Sequence, residues 1–286
     1  MWDVLWRRSR PSPATGENRR ALHTVRSQGC LSSRPVILKA LFGLALLVLF
    51  PFPLARAEST WPMQPGIFNS SEKPYRLSRE KLTRLSASLE RVTGWRGIHF
   101  EHDAWLCLKE ARLTTTGSPT ARAIILKALQ ETILILEDHS RSLDVAFAAI
   151  RREATLQMAS GAYLPVFSLR VDFEDFRHLR GHSEALAAFD LGLVLLHELV
   201  HAAFDRRDPP GPRGTSDPGE CEALVNEVRM ELDLPLRTHY HSEHVIPSLL
   251  SDLSFGRLRF ERVTWREGKP RRAIYFVQWP KPFVSH

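Results

Sequence analysis

The chain has 286 residues, 43% hydrophobic and 25% charged, a globular composition without repeats or low-complexity tracts that excludes a fibrous or wholly disordered protein. Its formal net charge of +7 belongs to the first 57 residues, where nine Lys and Arg face only Asp3 and Glu17; residues 58–286 carry 30 basic and 30 acidic side chains. A neutral body offers no electrostatic footprint for phosphate, so no nucleic-acid partner is expected.

The chain opens on a leader, residues 1–57. An apolar run from Ala40 to Phe50 follows Arg34 and Lys39, and Ala55-Arg56-Ala57 supplies the small-x-small pattern that a signal peptidase cuts, here after Ala57. Those eleven residues fall short of the ~20 that a membrane-spanning helix needs. A signal peptide, with export to the periplasm or the medium, is therefore expected; the alternative is an uncleaved anchor over residues 36–54, the one route to membrane contact. The stretch before Val25 is longer and richer in Pro and Arg than a signal n-region, which points to a downstream start, for instance at a Val25 codon. Cys107 and Cys221 are the cysteines of the body, open between a disulfide and two free thiols.

Residues 58–76, with Pro62, Pro65, Gly66 and Pro74, read as an irregular lead-in. Ser78 caps a helix to Val92, in which Leu82, Leu85, Leu89 and Val92 recur at helical spacing before Thr93-Gly94 stops it. A short strand is predicted over 97–101, a helix from Thr120 to about Leu136, and a further helix from Ser140 to Met158. Val166–Phe173 reads as a strand, with Pro165 at its start where a missing N–H is tolerated. Glu184–Phe204 is the longest helical pattern, closed by Asp208-Pro-Pro-Gly-Pro. A helix from Glu220 to Leu232 follows, then strands Leu258–Trp265 and Ala273–Trp279 joined by a turn at Glu267-Gly268-Lys269-Pro270. The expectation is one α+β domain over 58–286.

His197-Glu198-Leu199-Val200-His201 lies inside the longest helix. Residues four apart stack on one helical face, so both imidazoles can reach one ion, and Glu198 stands beside them to take a proton from metal-bound water. Zinc fits such nitrogen ligands and keeps a position open for water in catalytic sites. The helix is otherwise apolar (Leu195, Leu196, Leu199, Val200), and a buried helix bearing two His and one Glu needs partners for them, which a metal supplies. A third ligand is expected from the following helix, where Glu220 and Glu222 lie 19 and 21 positions after His201. Spacing does not separate them; Asn226 and Arg229, on the same face as Glu222, favour Glu222. The oxyanion of a tetrahedral intermediate needs a donor opposite the metal, and Tyr240, among His239, His241 and His244, is the first candidate, His241 the second.

With Gly219-Glu-Cys-Glu-Ala-Leu-Val-Asn226 and Leu234-Pro235-Leu-Arg237, the motif helix resembles bacterial H-E-x-x-H proteins of the zincin metallopeptidases, and of their gluzincin branch, whose third ligand is a Glu on the following helix. The segment Asn226-x-x-Arg229 to Arg237-x-x-Tyr240 is also similar to secreted effector zinc proteases, which show Glu-Asn at Val225-Asn226 and Gly at Asp233. The resemblance implies one catalytic zinc held by His197, His201 and Glu222, with Glu198 and Tyr240 catalytic. It implies hydrolysis of protein or peptide substrates, and makes Val166–Phe173 the edge strand that pairs with extended substrate. The alternative is a zinc-binding or assembly protein that keeps the fold without proteolysis; an amidase of cell-wall peptide is a further hydrolase on the same chemistry.

Overall fold

The structure is a computed structural model that describes residues 62–209, 217–245 and 254–281, all within one compact unit, Ser59–His286. The leader, with its apolar core, cleavage point and alternative anchor, lies outside the described residues. In chain order the elements are β1 Gly66–Asn69, α1 Arg79–Thr93, β2 Trp95–Arg96, β3 His99–Glu101, β4 Trp105–Cys107, β5 Arg112–Leu113, α2 Pro119–Glu131, β6 Ile133–Asp138, β7 Ala148–Gln157 and β8 Tyr163–Val171. After them come α3 Phe173–Arg177, β9 Arg180–Gly181, α4 Ser183–Ala188, α5 Leu191–Phe204, α6 Gly219–Glu231, β10 Leu236–Arg237, β11 Glu243–Val245, β12 Ser254–Arg266 and β13 Lys269–Lys281. The fold is mixed α+β, with the His-Glu-x-x-His sequence on a helix.

A six-stranded sheet in the order β3-β4-β1-β6-β8-β7 forms the centre. The strand β6 pairs in parallel with β1 and β8, and its Ile133, Leu134, Ile135 and Leu136 are all buried. A strand covered on both faces must be apolar throughout. Leu134 and Leu136 pack into the main core with α1, α2 and α5, whereas Phe68, Ile133, Ile135 and Val166 form a second cluster on the opposite face. The long hairpin β12–β13 turns at Glu267-Gly268, both with positive φ (55° and 74°), as a tight two-residue connection requires. Its Leu258, Phe260, Val277 and Trp279 join the main core.

Several sequence expectations are corrected. The lead-in contains β1, which is held by parallel pairing to β6. The helix from Thr120 ends at Glu131; Thr132 takes an extended conformation, and the apolar run after it enters the sheet. Ser140–Met158 is no helix: after a turn it becomes β7, where Arg151-Arg152-Glu153-Ala154 has helical propensity but long-range pairing with β8 prevails. Consequently the strand read at Val166–Phe173 is interior, flanked by β6 and β7, and the sheet ends on β7.

The helix read as Glu184–Phe204 is broken at Phe189-Asp190 into α4 and α5. Asp190 accepts from the Leu193 amide at 2.9 Å as the α5 N-cap and pairs with Arg91 of α1. The whole segment is long and apolar enough to cross a membrane, but it is mostly buried inside the fold, as a core helix is. Gly192 lets α5 approach α1 closely: its amide donates to Ser88 Oγ at 2.7 Å, and an added Cβ would stand 2.9 Å from the Ser88 carbonyl oxygen. Gly192→Ala is accordingly expected to lower stability by about 1–3 kcal/mol through overpacking, read as an earlier denaturant midpoint. An unchanged midpoint would show that the α1–α5 contact yields freely.

Candidate metal centre

His197 and His201 sit one turn apart on α5, with ring centroids 5.0 Å apart. The helix ends at Phe204, Asp205 takes a left-handed conformation (φ 51°), and the reversed chain brings Asp208 against both imidazoles. Asp208 Oδ1 lies 3.2 Å from His197 Nε2, and Oδ2 lies 3.2 Å from His201 Nε2. Three ligands at zinc distances of 2.0–2.1 Å in a tetrahedron would be about 3.3 Å from one another. The two His–Asp208 distances match that spacing, each through a different carboxylate oxygen, and the potential ligand atoms of the three groups all lie within 4.8 Å of one another. Asp208 Oδ1 is also buried without a hydrogen-bond partner, an unused lone pair that a cation would employ.

The groups behind the rings decide which nitrogen faces inward. His201 Nδ1 stands 2.7 Å from the Arg206 carbonyl, which can only accept, so Nδ1 carries a proton and Nε2 is the nitrogen turned toward Asp208 that could hold an ion. Cys221 Sγ is 3.3 Å from the same Nδ1; it and Cys107 are free thiols, so the two do not pair. Behind His197, Glu222 Oε2 lies 3.2 Å from Nδ1, at ion-pair distance but outside hydrogen-bond geometry.

Charge points the same way. Burial disfavours the His197 imidazolium, but Asp208 and Glu222 outweigh it and hold its pKa up to about 9. At His201 burial is likewise outweighed, chiefly by Asp208, and the pKa rises to about 11. Burial opposes ionisation of Asp208, yet the His197 and His201 imidazoles and the Tyr240 hydroxyl hold it well below the usual carboxylate range. The surrounding carboxylates thus favour positive charge on both imidazoles, and a bound divalent cation would take the place of their protons.

Glu198, next along the helix, is buried; desolvation pushes its pKa up against the pull of His197 and His201, and the Ile150 backbone of β7 stands against it. Tyr240 donates its hydroxyl to Asp208 Oδ2 at 2.6 Å and stacks on His197, centroids 5.9 Å apart at 23°. Burial first and Asp208 second raise the phenol above its ordinary value, which keeps it a neutral donor. A cleft of about 250 Å³ adjoins these groups, lined on its apolar side by Phe147, Phe189, Leu258 and Trp279 and including His241.

The structure thus brings His197, Glu198, His201 and Tyr240 together. Beside the third ligand expected from Glu222 or Glu220, Asp208 joins His197 and His201 in a cluster of potential ligand atoms, all within 4.8 Å of one another. Glu222 lies on the Nδ1 side of His197, while Glu220 is exposed in the first turn of α6. Periodicity missed Asp208 because it sits in the turn that ends the helix; a carboxylate seven residues after His201 is its one trace in the sequence. Arg229 and Arg237 both engage Glu222, Arg237 at 2.8 Å, and hold its carboxyl well below the usual range despite complete burial. Arg229 is itself buried and donates to the Ala188 carbonyl at 2.8 Å. Replacing it by Met leaves a buried carboxylate short of one partner, and a loss of about 3 kcal/mol is expected. Equilibrium unfolding checks this, and a loss below about 1 kcal/mol would mean that Arg237 neutralises Glu222 alone. No protein-family model, curated protein or solved structure matches the chain, so the reading of this centre rests on its own geometry.

Proposed function

We propose that the protein is a zincin-type peptidase that hydrolyses peptide bonds outside the cytoplasm, with one zinc ion held by His197, His201 and Asp208. The observation that carries this reading is the convergence of those three side chains, their potential ligand atoms all within 4.8 Å of one another, with Glu198 buried beside them. When bound by these residues, zinc would supply a Lewis acid for the substrate carbonyl and for the attacking water. Glu198, its basicity raised by burial, would accept the proton of the attacking water and return it to the departing amine. Tyr240, kept protonated, donates to the oxygen on which negative charge develops. Glu222 fixes the orientation of His197 from behind. The outer side of β7, unpaired among the described residues, lies beside Glu198, and an extended peptide would pair with it as an added strand. Export is the proposal of the leader sequence.

The test is elemental analysis of the purified protein together with mass-spectrometric mapping of cleavage in a peptide library. About one zinc per chain is expected, with cleavage abolished by a chelator and restored by zinc. Zinc without cleavage would support the alternative of a non-proteolytic zinc protein, and absence of zinc after reconstitution would remove the metal reading.

A further inference from the structure

Arg237 is a short-strand residue that the proposed chemistry does not use, yet its side chain is nearly enclosed and each of its three nitrogens donates a hydrogen bond. Nη1 donates to Glu222 Oε2 at 2.8 Å, Nε to the His239 carbonyl at 3.0 Å, and Nη2 to the Tyr240 carbonyl. The guanidinium also lies over the Tyr240 ring, 5.4 Å from its centroid. The backbone of the same residue is clamped to α6: Asn226 Oδ1 accepts from its amide at 3.0 Å and Asn226 Nδ2 donates to its carbonyl at 2.9 Å. These contacts close a circuit. His197 meets Glu222, Glu222 meets Arg237, Arg237 holds Tyr240, Tyr240 donates to Asp208, and Asp208 returns to His197.

We propose that Arg237 is a positioning residue that sets the Tyr240 phenol relative to the metal ligands, coupling the orientation of His197 to that of the oxyanion donor. The inference rests on the function proposed above. Its physical basis is that residues 238–245 leave β10 with little regular structure to hold them, β11 excepted, so the place of Tyr240 depends on its tethers. A planar guanidinium reaches two successive-residue carbonyls and a carboxylate at once with fixed angles; an ammonium of the same charge supplies no such fork. Phe189, 6.0 Å from the guanidinium on its own ring axis, limits the space in which a substitute could settle.

The experiment uses the full chain loaded with Co²⁺ and follows the visible spectrum on titration with acetohydroxamate, a small metal-directed oxyanion probe. Wild type, Arg237→Lys, Tyr240→Phe and the double variant are compared, with cobalt content measured for each. Arg237→Lys and Tyr240→Phe are each expected to keep about one cobalt per chain and to weaken the probe about tenfold. The double variant is expected to be no weaker than Tyr240→Phe alone, because the group that Arg237 positions is already missing. Losses that multiply in the double variant, or an Arg237→Lys protein indistinguishable from wild type, would overturn the assignment. So would loss of folding or of cobalt in both Arg237→Lys and Arg237→Gln, since the arginine would then be a structural strut. Wild-type protein that takes up no cobalt or zinc overturns the metal centre itself, which separates that failure from failure of the coupling.

Discussion

Asp208→Ala is expected to strip the protein of its metal while leaving it folded. A structural-strength zinc site is worth ~10–16 kcal/mol, so losing one of three protein ligands removes on the order of 3–4 kcal/mol, or ~10²–10³ in affinity. Folding should survive because Asp208 is partly exposed, lies beyond the α5 terminus, and contributes to no core cluster. His201→Ala is expected to match it. Glu222→Gln serves as the counter-case: a residue that orients His197 from behind affects affinity by only ~10–100-fold, at a cost in stability from its two arginines. Competition with a metal indicator, on protein shown to be folded by circular dichroism, orders the three variants. Retention of tight zinc in Asp208→Ala with its loss in Glu222→Gln would restore the ligand set that the gluzincin resemblance implies. The prediction separates two sites that share both histidines and differ only in which carboxylate completes them.

Glu198→Gln is expected to abolish hydrolysis with the metal retained. A positioned general base contributes ~10²–10⁴-fold, and glutamine keeps the shape of the side chain while removing its basicity. Stability should not fall, because the carboxylate is fully buried and desolvation already works against its charge. The measurement is a paired one, zinc per chain and cleavage rate on the same preparation. Cleavage surviving above about a tenth of the wild-type rate would dismiss Glu198 as the base. Zinc lost alongside activity would make Glu198 part of the site's architecture rather than its chemistry.

Local chemistry already carries much of this protein in its sequence. Ser78 and Gly94 bound α1 as the capping pattern predicts: Ser78 accepts from the Lys81 amide, and Gly94 takes the left-handed conformation at φ 72°. The hairpin β12–β13 follows from alternation around Glu267-Gly268, and α6 from its periodic Cys221, Val225 and Val228. The spacing of His197, Glu198 and His201 on an apolar helix was likewise legible, because one helical turn alone brings two imidazoles to a common point.

What lay beyond the sequence was decided by contacts between distant segments. Arg151–Leu156 carries residues content in a helix, and it is a strand because β8 offers it a ladder; pairing of that kind leaves no local mark. The same pairing moved the sheet's edge from β8 to β7, and with it the surface on which an extended peptide would lie. The place of Asp208 beside both imidazoles could not be found by counting residues, since the path of a turn after a helix depends on a single left-handed residue, Asp205, rather than on any period. Glu222 was singled out by its helical face, and that face does point to the site. It meets His197 on Nδ1 rather than Nε2, and two arginines, Arg229 and Arg237, claim its oxygens. The sequence by itself determined the helical segment that carries His197, Glu198 and His201; tertiary structure alone decided which carboxylates stand beside the two imidazoles, because that depends on three chain segments meeting within a few ångströms.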